Sequence, residues 1–327
     1  MLRDFYVFSN GRMKRKDNTF YFIDEQENQK SLPVQQIDNL YIFGQVDLNT
    51  KLLSFLNQHN IHVHFFNYYG FYSGSFTPRE TSLSGFTLVS QSAHYLEHNK
   101  RLVLAKAFVT AGVFHMLRLL RRYKQIQSEL LEPIISLNKG ISQATTIQQL
   151  MGIEGMIRQQ YYSLFNYILP SDFSFYKRSK RPPQDEINAL ISFGNSLCYT
   201  SVLSEIYKTQ LNPTISYLHE PSSRRYSLSL DIAEIFKPLV VDSLIFALIN
   251  KKVITLKHFD EIENMVTLNE EGKRKFLKAW DEKLSQTIMH RHLKRKVSYR
   301  YLMRLECYKI IKHVINDEMY KPLKAWW

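Results

Sequence analysis

Cysteine is almost missing from this chain: Cys198 and Cys307 are the only two in 327 residues. So few thiols exclude a disulfide framework and a cysteine zinc site, and they point to a reducing, cytoplasmic setting. Each is expected to be a small buried hydrophobe. Long apolar runs are missing too. The best candidate, "PLVVDSLIFALIN", is interrupted by Asp242, short of the roughly 18 uncharged residues that a membrane span needs. The N-terminal "MLRDFYVFSNGRMKRK" lacks the apolar core of a signal peptide. A soluble protein with no membrane role is therefore expected. Prolines are sparse and fall at breaks such as "LEPII", "ILPSD" and "LNPTI", and no repeat or low-complexity tract is visible.

Hydrophobic residues, at 44% with 13% aromatics, are ample for packed cores, so disorder is excluded. The net charge of +13 is unevenly placed. Residues 1–89 hold eight Lys and Arg against eight Asp and Glu, so the whole excess lies in residues 90–327. A one-sided basic surface attracts polyanions, nucleic acid first.

Two periodicities divide the chain. Up to residue 89 short aromatic and β-branched runs ("DFYVFSNG", "NTFYFIDE", "DNLYIFG", "IHVHFFNYYG") alternate with turn residues, as strands do. One helix interrupts them, "NTKLLSFLNQHN", with Leu52, Leu53 and Leu56 on one face. From residue 90 onward the apolar spacing becomes three and four, which marks helices. The expected fold class is α+β: an N-terminal, mostly antiparallel β-domain (1–89) followed by a larger all-helical domain (90–327).

In "TTIQQLMGIEGMIRQQYYSLF" the charge of Glu154 falls on the apolar stripe formed by Ile147, Leu150, Ile157 and Tyr161. A carboxylate in such a place must be paired, neutralised or bound to a cation, since its desolvation otherwise costs several kcal/mol. An i,i+4 ion pair with Arg158 is one answer; a metal is another. Thr146 and Gln149 have capping-box spacing. Gly152 and Gly155, each costing a helix about 1 kcal/mol relative to Ala, suggest that something approaches the backbone closely.

A second acidic stripe lies on "SLSLDIAEIFKPLVVD", where Asp231, Glu234 and Asp242 share one side of a helix at about 100° per residue. Pro238 is expected to bend that helix. His219 precedes it in a loop bracketed by Pro213 and Pro221. One imidazole nitrogen and carboxylate oxygens from two helices would suit Mn²⁺ or Mg²⁺, and the imidazole favours Mn²⁺. Asp242, roughly 12 Å beyond Glu234 by helix rise, suits pairing with a buried cation better than ligation. The pairs His62/His64 and His290/His292 lack neighbouring cysteines or acids and read as structural.

Four stretches, "FSNGRMKRKDNTFYF", "GIEGMIRQQYY", "RSKRPPQDEINALISFGNSLCY" and "LHEPSSRRYSLSLDIAEIFKPLVVD", resemble in order and spacing the motifs of the CRISPR-associated integrase family, the metal-dependent endonuclease of spacer acquisition. The resemblance implies a homodimerising β-domain, a helical catalytic domain, and two homodimers bridged by a dimer of a small partner protein. It implies insertion of captured DNA fragments into a CRISPR array by attack of a DNA 3′-hydroxyl on a repeat phosphodiester. It carries the metal ligands onto Glu154, His219 and Glu234, with Asp231 and Asn188 supporting them. Glu234 stands where some members have Asp. Candidate DNA contacts are Arg181, Arg224 and Arg225, together with Lys296, Arg300 and Arg304, which read as one helical face. Arg118, Arg121, Arg122 and Lys124 of "RLLRRYKQ", and Lys177, Arg178 and Lys180, are further candidates. A general metal-dependent nuclease of branched or repair DNA, and a non-catalytic nucleic-acid scaffold, remain open alternatives.

Overall fold

The computed structural model describes residues 3–79, 82–179, 182–222, 226–316 and 318–327. The chain forms two compact units, Met1–Leu83 and Ser84–Trp327.

The first unit runs β1 (Arg3–Val7), β2 (Gly11–Lys16), β3 (Thr19–Asp24), β4 (Gln29–Leu32), β5 (Ile37–Ile42), β6 (Val46–Asp47), α1 (Thr50–Gln58), β7 (His62–Phe66) and β8 (Tyr72–Phe76). Two four-stranded sheets result, in the orders β1-β5-β7-β8 and β4-β3-β2-β6. The expected antiparallel pairing holds for β2 with β3, β3 with β4 and β7 with β8. The other three neighbouring pairs are parallel, because long connections separate their partners: β2 to β4 intervene between β1 and β5, and α1 crosses over between β5 and β7. Leu52 and Leu56 of α1 are fully buried with Phe20, Leu40 and Val63 in one core. The Asn49 side chain caps α1 by accepting from Leu52 N at 2.9 Å. His62 and His64 share a face of β7, their rings 6.4 Å apart.

The second unit opens with α2 (Gly85–Leu96), which spans the boundary expected at residue 89. Gln91 ties this helix to its own unit by accepting from Asn212 N at 2.8 Å and donating to Asn212 O. There follow α3 (His98–Leu120), α4 (Ser128–Gln143), α5 (Ile147–Ser163), α6 (Glu186–Tyr207), α7 (Ser227–Phe236), a π-helical turn over Lys237–Asp242, and α8 (Ser243–Asn250). Then come β9 (Phe259–Ile262), β10 (Met265–Leu268), α9 (Glu270–Ser285), β11 (Thr287–Met289), β12 (Lys296–Ser298) and α10 (Tyr299–Asn316). The unit is thus not all helical. The β9–β10 hairpin forms because Glu263 and Asn264 both take positive φ (48° and 63°), the two-residue turn whose twist matches paired strands.

Among the described residues α3, not the 238–250 stretch singled out by sequence, is the one helix long and apolar enough to cross a membrane. Two-thirds of its apolar window is buried by neighbouring helices (67%), as a core helix requires. Two glycines let helices close on the acidic helix. A Cβ at Gly112 of α3 would lie 3.0 Å from the Glu234 carbonyl oxygen, and one at Gly194 of α6 would lie 2.5 Å from a Val241 methyl. Pro238 sits in the π-helical turn, where the missing N–H lets the ladder slip by one residue. The C-terminal "KPLKAWW" is packed rather than free. Tyr320 OH and Leu323 N donate to Glu306, Ala325 N donates to His115 Nε2, and Trp327 Nε1 donates to Tyr299 OH at 2.7 Å.

Candidate active site

Helix α5 begins where Thr146 accepts from Gln149 N at 3.2 Å. The expected box is displaced by one residue, since Gln149 Oε1 reaches back to Thr145 N, at 2.9 Å, instead of Thr146 N. Two turns on, Glu154 is partly buried, its side chain 22% exposed. The i,i+4 pair with Arg158 is present, and the same guanidinium also bonds Glu234 of α7, so one cation bridges carboxylates from two helices. Lys237 Nζ adds a contact to Glu234 Oε1 at 2.5 Å. Burial pushes the Glu154 carboxyl up, but Arg158, Lys237 and His219 beside it prevail and hold it below the usual range. Gly152 and Gly155 correct one expectation: a Cβ at either would meet nothing within 4 Å. Both face open space, so no packed neighbour requires them.

Asp231 is fully buried and organises the loop before it. Its Oδ2 accepts from Tyr217 N at 2.6 Å and Leu218 N at 2.9 Å, and its Oδ1 accepts from His219 N at 3.0 Å. The same Oδ1 lies 2.7 Å from His219 Nδ1, which orients the ring and leaves Nε2 as its other nitrogen. Glu220 turns away, to Arg101 at 2.7 Å and Tyr95. Among the described residues no three His, Cys, Asp or Glu side chains stand at metal-binding spacing, since Arg158 lies between the two glutamates.

Asn188 is engaged elsewhere. Its Oδ1 accepts from Arg178 Nη1 and Ser179 N, and its Nδ2 donates to Lys177 O and Asp185 Oδ2, all within 2.6–2.9 Å. These bonds use the full capacity of a side-chain amide and clasp the 177–179 loop to the start of α6. None of them reaches Glu154, His219 or Glu234.

The basic stripe at the C-terminal end is not one helical face. Lys296 is an exposed residue of β12, whereas Arg300 and Arg304 lie on α10. Arg300 stands 3.8 Å from Asp281, and Arg304 Nε donates to Glu205 at 2.6 Å. The turn into α10, set by Ser298 accepting from Tyr301 N, breaks the periodicity assumed from spacing. Arg181, Arg224, Arg225 and Lys180 lie outside the described residues. Lys237 was not singled out from sequence, although its i,i+3 spacing from Glu234 was a usable signal.

Asp242 pairs with a phenol rather than with the buried cation expected. Tyr161 OH, itself fully buried, donates to its Oδ2 at 2.9 Å. Burial pushes the Asp242 carboxyl up to about 6, against the Tyr161 hydrogen bond and the charges of Arg158, Lys237 and Arg178. A folded value above the unfolded one means that the fold holds this proton more tightly. The contribution of Asp242 to stability is therefore full below about pH 4 and is lost toward pH 6, by up to about 3 kcal/mol. His115 acts in the opposite sense. Burial presses it down to about 4, so its contribution is full above about pH 6.5 and fades as pH falls. Asp242→Asn is expected to raise stability near pH 7, to leave it unchanged near pH 4, and to unmask the His115 slope. Denaturant unfolding across this range checks it; parallel wild-type and variant profiles would refute the assignment.

The family model described as "CRISPR associated protein Cas1" matches residues 5–282. The chain is 56% identical over 326 residues to "CRISPR-associated endonuclease Cas1 3" of Thermodesulfovibrio yellowstonii, covering 100% of both chains. Among solved structures it is similar to a Cas1 protein from Thermotoga maritima, with a TM-score of 0.89 and 42% identity over 97% of this chain and 98% of that one. It also shares its fold with a casposase bound to an integration product, at a TM-score of 0.88 and 20% identity over 99% and 94% of the two chains. With the family model spanning both units and identity sustained along the whole length, the chain belongs to the Cas1 family of CRISPR-associated endonucleases.

Proposed function

We propose that the second unit carries a divalent-metal-dependent DNA cleavage and strand-transfer centre whose ligands are Glu154, His219 and Glu234. The observation that carries this reading is the gathering of Glu154 and Glu234, from α5 and α7, around a single cation, Arg158. The donors fit Mn²⁺ or Mg²⁺ in kind: two carboxylates and one imidazole nitrogen. His219 fits as well, because a carboxylate on Nδ1 is the usual means of orienting a metal-binding ring through Nε2. Ion binding there requires the Arg158 guanidinium to leave the two glutamates. When bound, such an ion polarises a phosphoryl oxygen and activates the attacking hydroxyl or water.

The chain's own residues supply the rest. Asp231 fixes both the loop and the orientation of the His219 ring, leaving Nε2 as the nitrogen free to ligate. Arg158 and Lys237, the two cations at the carboxylates, are placed to meet the charge of an incoming phosphodiester. In this reading the nucleophile is the 3′-hydroxyl of a captured DNA fragment and the target is a CRISPR repeat. The N-terminal unit mediates homodimerisation, and a dimer of a small partner protein bridges two such dimers. Both cysteines are unpaired and buried, in keeping with a cytoplasmic setting.

The test is strand joining by the full-length protein, with a fragment and a repeat-containing target, in Mn²⁺, in Mg²⁺ and with chelator. Products are expected with either ion and none with chelator. Equal cutting of branched DNA without preference for the repeat would favour a general nuclease, and DNA binding without cleavage in either ion would favour a scaffold.

A further inference from the structure

A groove of about 500 Å³ lies between α8 and α9. Lys251, Lys275, Lys278 and Lys283 line it above an apolar floor that includes Leu244 and Val253, with Glu282 as the only acid. Lys275 is satisfied by Glu271 at 2.9 Å. Among the described residues, Lys251, Lys278 and Lys283 have no carboxylate at ion-pair distance. Lys283 Nζ sits 4.6 Å from the Tyr299 ring centroid, and that ring is fixed by the hydrogen bond from Trp327. Burial presses the Lys283 ammonium down, and Arg122 and Arg118 press it further. More cations therefore stand at this end of the groove. Among the described residues, only Lys275 of the four lysines is ion-paired, and Glu282 is the one acid in the lining.

We propose that the α8–α9 groove is a binding track for the phosphate backbone of DNA, separate from the cleavage centre and indifferent to base sequence. Its shape selects the ligand. Lys278 and Lys283 are about 7.5 Å apart along the α9 axis, roughly two nucleotide steps of one strand, and Lys251, at the end of α8, lines the same groove. No aromatic ring lines the groove, which removes the stacking platform that single-stranded bases use and leaves backbone contact. Its position ties it to the reaction. Ser243 and Leu244, at one end, directly follow Asp242, the last residue of the π-helical turn that carries Lys237. Lys251 lies about 12 Å further along α8. DNA held here runs away from the acidic centre. The proposal rests on the nuclease reading above.

The test uses the full-length protein with a duplex of fixed length, reading binding by fluorescence anisotropy against salt concentration. Lys251→Gln with Lys278→Gln, both exposed, forms the first variant, and Lys283→Gln is added in a second in case loss of the Tyr299 contact disturbs folding. Each neutralised phosphate contact lowers the salt slope by about 0.9. The double and triple variants should lose about 1.8 and 2.7, and the Kd at about 0.1 M salt should rise at least about tenfold. Cleavage at saturating DNA should be unchanged. Wild-type slope and affinity in both variants would overturn the proposal, as would loss of binding to an acidic polypeptide such as polyglutamate with DNA binding intact. If wild-type protein binds DNA but neither cuts nor joins it, the nuclease reading fails, while the slopes still decide the groove.

Discussion

Glu154→Gln is expected to reduce DNA cleavage and joining by about a thousandfold or more while changing DNA affinity by less than about threefold. Gln keeps the size and one acceptor but removes the charge, and a ligand lost from a phosphodiester-cleaving centre withdraws several kcal/mol of transition-state stabilisation, about tenfold per 1.36 kcal/mol. The fold should tolerate the change, because Arg158 retains Glu234 as a partner; a loss near 1 kcal/mol is expected. Single-turnover cleavage beside equilibrium binding checks it. A variant that joins DNA at the wild-type rate in Mn²⁺ removes Glu154 from the chemistry. One that loses binding in proportion to rate makes it a binding residue instead.

Asp231→Ala has the largest expected effect on stability. The carboxylate is fully buried and accepts from three consecutive backbone N–H groups as well as holding the His219 ring. Deleting it leaves those donors unpaired away from water, which costs about 3–5 kcal/mol in total. For a unit of this size that corresponds to a fall in Tm of about 10 °C. Asp231→Asn keeps one acceptor oxygen but places an amide group against N–H donors. It should recover part of the stability, yet leave activity low because the orientation of the His219 ring is no longer fixed. Thermal melts and the His219 ring-nitrogen NMR shifts separate the two roles. If the Ala variant melts within about 1 °C of wild type, the loop is held by something other than Asp231.

Much of the candidate site was legible because local spacing reports local geometry. The i,i+4 relation of Glu154 and Arg158 requires only a helix, and so does the placing of Asp231 and Glu234 on α7. The loop prolines around His219 also marked a constrained segment. Extending that reasoning failed where the helix itself failed. Lys296, Arg300 and Arg304 have helical spacing, yet the chain changes from β12 to α10 within the run. The two glycines beside Glu154 were read as a close approach that does not exist, since a sequence cannot tell a glycine against a neighbour from one against solvent. Asn188 was recognisable as a special position, but its engagement with the 177–179 loop depends on where that loop folds back.

By itself the sequence determined the change from strand to helix periodicity, the one-sided positive charge and the acidic positions on each helix. These follow from side-chain order along a single element. Only the tertiary structure decided that Arg158 would face two glutamates, that Asp231 would gather three backbone amides, and that lysines from two helices would flank one groove. Those arrangements depend on how helices distant along the chain cross, which is set by the burial of apolar faces and by small residues such as Gly112 and Gly194, not by the spacing of the charged groups themselves.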